Sequence, residues 1–288
     1  MILTRLIGGL GNQMFQYAAG KRLSELHNTE LKLDISPLLT GYNREYSLDV
    51  FNICAVVATR EEIDNFRRPP SLLSRFLLRK DMKGQYYTYK EPHFQFDEQF
   101  LSLPDNTYLE GYWQSWKYFD DISDLLRRDF SFKSFDTSGI DTVLQQIRDF
   151  ESVAIHIRLG DYLKNPETNS FHGVCSPEYY DASIEYIVNR VGSPHLFVFS
   201  DDISLAKERY PFSALPVTYV EGHTGEKSHL DMFLMSQCRH FIIANSTFSW
   251  WGAWLGSHPG KIVIAPEKWF NDPGIITKDL YLPDWIQI

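Results

Sequence analysis

The residues with most chemistry to offer stand at the end of one short apolar run, Ser152-Val153-Ala154-Ile155-His156-Ile157-Arg158-Leu159-Gly160-Asp161-Tyr162. A β-branched run of this kind reads as a buried strand, and ligands of open α/β sheets gather beyond strand C-termini. His156 and Arg158 alternate with Ile155 and Ile157, which sends both to one side of the strand. Arg158 is a permanent cation and needs an anionic partner, either a carboxylate of the chain such as Asp161 or the phosphate of a ligand. Two further strand ends carry polar groups: Leu196–Phe199 stops at Ser200-Asp201-Asp202, and Phe241–Ala244 leads into Asn245-Ser246-Thr247-Phe248-Ser249. The Asn-Ser-Thr cluster opens a helix, where free N–H groups and the helix dipole favour an anion; ordinary N-capping is the competing explanation. Asp201 and Asp202 lack the spacing of a metal-binding pair, and no second carboxylate cluster accompanies them. They are expected to accept hydrogen bonds from ribose hydroxyls or a base edge, with Arg158 and helix-terminal donors holding a diphosphate without metal.

The elements that must position these groups alternate regularly. Residues 2–7 read as a strand, Gly8-Gly9-Leu10-Gly11-Asn12-Gln13 as a turn into a helix reaching about His27, and Leu31–Ile35 as a second strand. This is a βαβ unit. Its glycines do not make the G-x-G-x-x-G fingerprint and alone are a weak signal, but Asn12 and Gln13 add two amides able to bond a polar ligand in both directions. Residues 36–110 resist a pattern reading. Gly111–Phe119 is dense in aromatic residues, expected mostly in the core with a few rings free to stack on sugar faces. Residues 133–150 read as the crossover between two halves. In the second half a helix starts at Ser176-Pro177-Glu178 and ends at Gly192, and helices near 203–209 and 227–238 alternate with strands at 196–199, 217–220, 241–244 and, last, 261–265. That alternation predicts a parallel sheet.

With 288 residues, 43% apolar, the chain is long for a single doubly wound sheet and suits two modest cores. A net charge of −9 excludes non-specific nucleic-acid binding. Cys54, Cys175 and Cys238 are odd in number and far apart, which fits reduced thiols in the cytoplasm. The start of the chain lacks the basic region of a signal peptide, and no apolar run approaches the roughly 20 residues of a membrane span. Residues 67–83 hold Arg67, Arg68, Arg75, Arg79, Lys80 and Lys83 among leucines. They read as a helix buried on its leucine face, with weak contact to an anionic membrane as the alternative.

Gly8–Tyr17, Gly111–Phe119, His156–Tyr162, Phe199–Asp202 and Asn245–Leu255, in this order, resemble the alpha-1,2-fucosyltransferases of glycosyltransferase family 11 in their bacterial form without a membrane anchor. The resemblance spans nearly the whole chain. It implies a GT-B-like α/β fold of two Rossmann-like halves with the active site in the cleft between them, 1–140 on the acceptor side and 141–288 binding GDP-fucose. It also implies an inverting transfer of L-fucose to the 2-hydroxyl of a terminal galactoside, in glycan or O-antigen synthesis, with no cofactor and no metal. Residue by residue, Arg158 falls on the phosphates and His156 near the nucleotide-sugar. Asp202, with Asp201, falls at the guanosine beside Ser200; Asn245, Ser246, Thr247 and Ser249 fall by the phosphates; and Gly9, Gly11, Asn12 and Gln13 close the site from the N-terminal half. Asp161 is the nearest named carboxylate for a general base, with a leaving-group phosphate oxygen as the other proton acceptor. One departure stands out: relatives often carry a second arginine where this chain has Leu159. The alternatives are another GDP-fucose-dependent transferase, such as a protein O-fucosyltransferase, and a non-catalytic glycan-binding relative.

Overall fold

The computed structural model describes residues 1–40, 44–67, 86–223 and 225–288, apart from the side chains of Asp161, Lys164 and Glu226. The chain divides into two compact units, Met1–Ser131 and Phe132–Ile288.

In the N-terminal unit, β1 (Ile2–Arg5), α1 (Leu10–His27) and β2 (Leu31–Asp34) make the expected βαβ unit. They are followed by α2 (Ser36–Leu39), β3 (Val56–Val57), α3 (Arg60–Arg67), β4 (Tyr87–Lys90), β5 (Thr107–Glu110) and α4 (Ser123–Asp129). The strands are parallel in the order β3-β2-β1-β5-β4. The order therefore reverses between β1 and β5, the place where such sheets open a crevice beyond their C-terminal ends. β1 stops at Arg5 and not at Ile7, because the Ile7 N–H goes to Gln16 Oε1 at 3.0 Å and not to a strand. α1 is buried on most of its faces, with Met14, Phe15, Tyr17, Ala18 and Leu23 inaccessible. Of the basic 67–83 segment only Arg67 lies among the described residues. It donates to the buried Asp34 carboxylate and to the Tyr108 hydroxyl, at 3.1 Å each.

The C-terminal unit is the more regular one. It comprises α5 (Asp141–Asp149), β6 (Ser152–Ile157), α6 (Gly160–Lys164), α7 (Pro166–His172), α8 (Pro177–Val191), β7 (His195–Ser200), α9 (Ile203–Arg209), β8 (Val217–Tyr219), α10 (Ser228–Gln237), β9 (His240–Ile242), α11 (Thr247–Leu255), β10 (Val263–Ala265) and β11 (Ile286–Gln287). All six strands are parallel, in the order β11-β10-β9-β6-β7-β8. α8 has the ends expected of it: Ser176 Oγ accepts the Tyr179 N–H, proline takes the first position and Gly192 closes the helix. The strand at 263–265 is not the last. Ile286 pairs with Ile264 and places β11 on that edge, a contact no local pattern announces. β6 lies in the middle with all six residues buried, and here the order reverses between β6 and β9. Trp250 and Trp251 of α11 are inaccessible, and the Trp250 indole donates to the Leu280 carbonyl at 2.9 Å, so its polar N–H is matched inside the core. Among the described residues no helix is long and apolar enough to cross a membrane.

Candidate active site

The reversal between β6 and β9 sets two of the polar strand ends side by side. His156, next to last in β6, is 3% exposed, and its ring lies 5.6 Å from that of Phe248 in the first turn of α11. Its Nδ1 is buried with no hydrogen-bond partner among the described residues. Burial first, and the Arg158 charge second, hold His156 neutral, with its pKa brought down to about 3 against the pull of Asp201. It therefore offers a neutral ring to whatever occupies the strand tip.

Arg158 leaves the end of β6 and is held from two sides. Its Nη1 lies 3.1 Å from Asp201 Oδ2, and its guanidinium carbon is 5.5 Å from the centre of the Tyr162 ring. Tyr162 in turn stacks on His172 and donates its hydroxyl to the Asn245 carbonyl at 3.1 Å. The Arg158 side chain remains 18% accessible, so the cation is fixed in place without being sealed off. Asp201 also accepts the Leu159 N–H at 2.9 Å and the Gly160 N–H. A Cβ on Gly160 would fall 2.4 Å from Asp201 Oδ2, so only glycine lets the backbone come this close. Burial alone would raise Asp201; the Arg158 charge and the two N–H groups outweigh it and keep the carboxyl below its usual range. Leu159, next along the chain, turns its side chain into the apolar core of this unit.

The remaining C-terminal candidates divide by what already occupies them. Ser200 Oγ accepts the Asp202 N–H at 3.1 Å, and Asp202 caps α9 by accepting the Leu205 N–H at 3.2 Å. The Asn245 amide donates to the His172, Gly173 and Trp269 carbonyls, which makes it a tether between loops. Ser249 is inaccessible and donates to the Ala244 and Ser246 carbonyls. Ser246 is the N-cap of α11 and its side chain makes no cap bond, while its carbonyl accepts the Trp250 N–H at 3.0 Å. The side chain of Asp161 lies outside the described residues. Among those residues, no group of three or more His, Cys, Asp or Glu is placed to hold a metal. The combination at this edge is an immobilised guanidinium, a helix N-terminus and a neutral imidazole, which together suit a diphosphate.

The N-terminal unit builds its own edge at the β1–β5 reversal. Gly8 has φ +78°, Gly9 is the N-cap of α1, and Gly11, Asn12 and Gln13 lie in its first turn. Gln13 donates to the Gly8 and Glu45 carbonyls at 2.9 and 2.8 Å and accepts the Ser47 N–H at 2.9 Å, so its amide holds loops together. Gln16 donates to the Gly111 carbonyl at 3.1 Å, and Asn12 Oδ1 accepts from Gln114 at 3.0 Å.

Sequence reasoning missed two groups here and one in the other unit. Glu91, just past β4, accepts the N–H groups of both Tyr112 and Trp113, at 2.6 and 3.0 Å. Trp113 is fully buried with φ +57°, a conformation that costs a bulky residue about 1–3 kcal/mol. Beyond β8, His223 Nδ1 meets the half-buried carboxylate of Asp231 at 2.7 Å. None of these pairings leaves a local signal, since each joins residues across a loop or a sheet.

Two parallel α/β units, one with a polar edge at its strand-order reversal, are the architecture of glycosyltransferases of the GT-B type. The chain belongs to glycosyl transferase family 11, whose description matches residues 1–288. It is 35% identical to the alpha-1,2-colitosyltransferase of Escherichia coli, over 100% of this chain and 99% of that protein. To the O-antigen biosynthesis glycosyltransferase WbnK of Escherichia coli it is also 35% identical, over 96% and 98%. Human galactoside alpha-(1,2)-fucosyltransferase 1 matches at 25% over 98% of this chain and 73% of that protein. Among solved structures, the fucosyltransferase NodZ from Bradyrhizobium shares the fold with TM-score 0.55 at 15% identity, over 91% of this chain and 94% of that chain.

Proposed function

We propose that this protein transfers L-fucose from GDP-fucose to the 2-hydroxyl of a terminal galactoside with inversion, its C-terminal unit holding the donor and its N-terminal unit taking the acceptor. The observation that carries the reading is Arg158, fixed by Asp201 at the strand-order reversal beside the N-terminus of α11. In the reaction the acceptor oxygen attacks the anomeric carbon as the bond to the β-phosphate oxygen breaks. Negative charge grows on the departing GDP, and this reading assigns its stabilisation to Arg158 and the N-terminal end of α11. His156 stays neutral there and so adds no repulsion toward Arg158. The alpha-1,2 linkage named for the colitosyltransferase and the human fucosyltransferase, and the galactoside named for the latter, support the regiochemistry and the acceptor class. Cys54, Cys175 and Cys238 are free thiols, as a reducing cytoplasm would keep them, and we place the reaction there.

The test is incubation with GDP-fucose and a panel of lactose, N-acetyllactosamine and methyl β-galactoside, with products read by mass and linkage. An alpha-1,2-fucosylated product, inhibited by GDP and not by UDP, is expected; a different linkage, or better competition by UDP, overturns the reading. The 35% identity to a colitosyltransferase favours one second reading, GDP-colitose as donor, a sugar lacking the 3-hydroxyl of fucose. Direct competition between the two GDP-sugars separates them.

A further inference from the structure

The edge of the N-terminal sheet holds a construction that core packing does not require. Gly111–Gln114 follows β5 at the point where the strand order reverses, and three side chains pin it. Glu91 takes the N–H groups of Tyr112 and Trp113, Gln16 takes the Gly111 carbonyl, and Asn12 takes the Gln114 amide. The positive φ of Trp113 sends that indole fully into the core while Tyr112, one residue before it, is kept 42% exposed. A large aromatic ring held out at a sheet's crevice by a strained and heavily bonded turn is the arrangement of a binding platform.

We infer that Tyr112 is the ring on which the acceptor sugar lies, and that Glu91 is the positioning residue that holds it there. The inference rests on the proposed galactoside-transfer reading. A galactopyranose carries an apolar patch of C–H groups on one face, which packs on an aromatic ring while its hydroxyls stay solvated or hydrogen-bonded.

The clamp needs an ionised carboxylate, because a protonated Glu91 turns one oxygen into a donor facing an N–H. Burial pushes Glu91 up to about 7, against the two N–H groups and His93. Among the described residues Tyr118 also interacts with it, while the neighbouring Glu110 has Arg5 and Lys90 within 3.9 and 3.7 Å of its carboxylate. The grip on Tyr112 thus loosens as pH falls through neutrality.

The experiment is steady-state kinetics with GDP-fucose and whichever of lactose, N-acetyllactosamine or methyl β-galactoside is turned over, together with titration of GDP binding. Tyr112→Ala is expected to raise the acceptor KM about tenfold, the scale of one aromatic contact. The GDP-fucose KM and the Kd for GDP should not move, and Tyr112→Phe should recover most of the loss. Glu91→Gln is expected to raise the acceptor KM as well, and to flatten the rise that the wild-type acceptor KM shows below pH 7. An acceptor KM unchanged in Tyr112→Ala, or a fall in kcat at constant acceptor KM, overturns the inference and leaves the transfer reading standing. Normal GDP binding with no galactoside turned over overturns the transfer reading, and this inference with it.

Discussion

Each unit contains a carboxylate that gathers two successive backbone N–H groups at a strand tip, and the two are opposite in charge behaviour. Asp201 takes Leu159 and Gly160; Glu91 takes Tyr112 and Trp113. Burial opposes ionisation at both. At Asp201 the Arg158 guanidinium tips the balance and the carboxyl stays below its usual range, whereas at Glu91 His93 is too weak a counterweight and the value climbs to about 7. Two N–H bonds orient a carboxylate, but a fixed cation decides whether it stays charged. The edge we assign to a diphosphate keeps that cation; the edge we assign to a neutral sugar does without one.

The largest effect expected from breaking this contrast comes from the cation itself. Arg158→Ala should lower turnover by about 10²–10³-fold, the usual loss for a donor aimed at developing charge. Arg158→Lys should recover only part of it, since an ammonium cannot reproduce the planar fork. Initial rates beside a circular dichroism spectrum check this, and activity within a few-fold of wild type would remove Arg158 from the phosphate site.

Asp201→Asn should lower turnover less, and stability by about 1.5–3 kcal/mol, as expected for hydrogen bonds to a charged group. Because the folded carboxyl titrates below its ordinary value of 3.8, its contribution is present above that pH and lost as pH falls through the folded value. Urea denaturation of both proteins at pH 7 and in acid should show the gap closing in acid. A constant gap would mean packing and not charge.

Glu91 has the reverse sign. Its folded value lies above the ordinary 4.5, so the folded state binds the proton more tightly and gains stability as pH falls from about 7 toward 4.5. Wild type should therefore be less stable at pH 8 than at pH 6, by more than Glu91→Gln is. Parallel pH–stability curves for the two would show that Glu91 is not the group titrating.

The smallest effect is expected from chelation. The Asp201 and Asp202 carboxylates already bind Arg158, Leu159 and Leu205, so turnover should be unchanged by EDTA. A loss restored by Mg²⁺ or Mn²⁺ would free both acids for another role.

Much of this architecture was legible because its signals are local. Ser176, Pro177 and Gly192 bound their helix through cap geometry that needs no distant partner, and the alternation of apolar runs and helices in the second half announces a parallel sheet. The glycine turn, His156, Arg158 and the Ser246–Thr247 helix start were readable for the same reason: each sits at the end of its own element. Which group meets which was decided only by the tertiary structure. Parallel pairing brings β7 beside β6 and so gives Arg158 the carboxylate of Asp201, while Asn245 and Gln13, read as ligand donors, have their amides drawn into neighbouring loops. β3, β4 and β5 stayed opaque because their places in the sheet come from pairing with strands distant in sequence or in a non-sequential order, β3 on β2 and β5 on β1 with β4 outside it. Glu91 and the strained Trp113 leave no trace in composition or spacing. A carboxylate reveals its charge state, and a tryptophan its backbone strain, only once the residues packed around them are known.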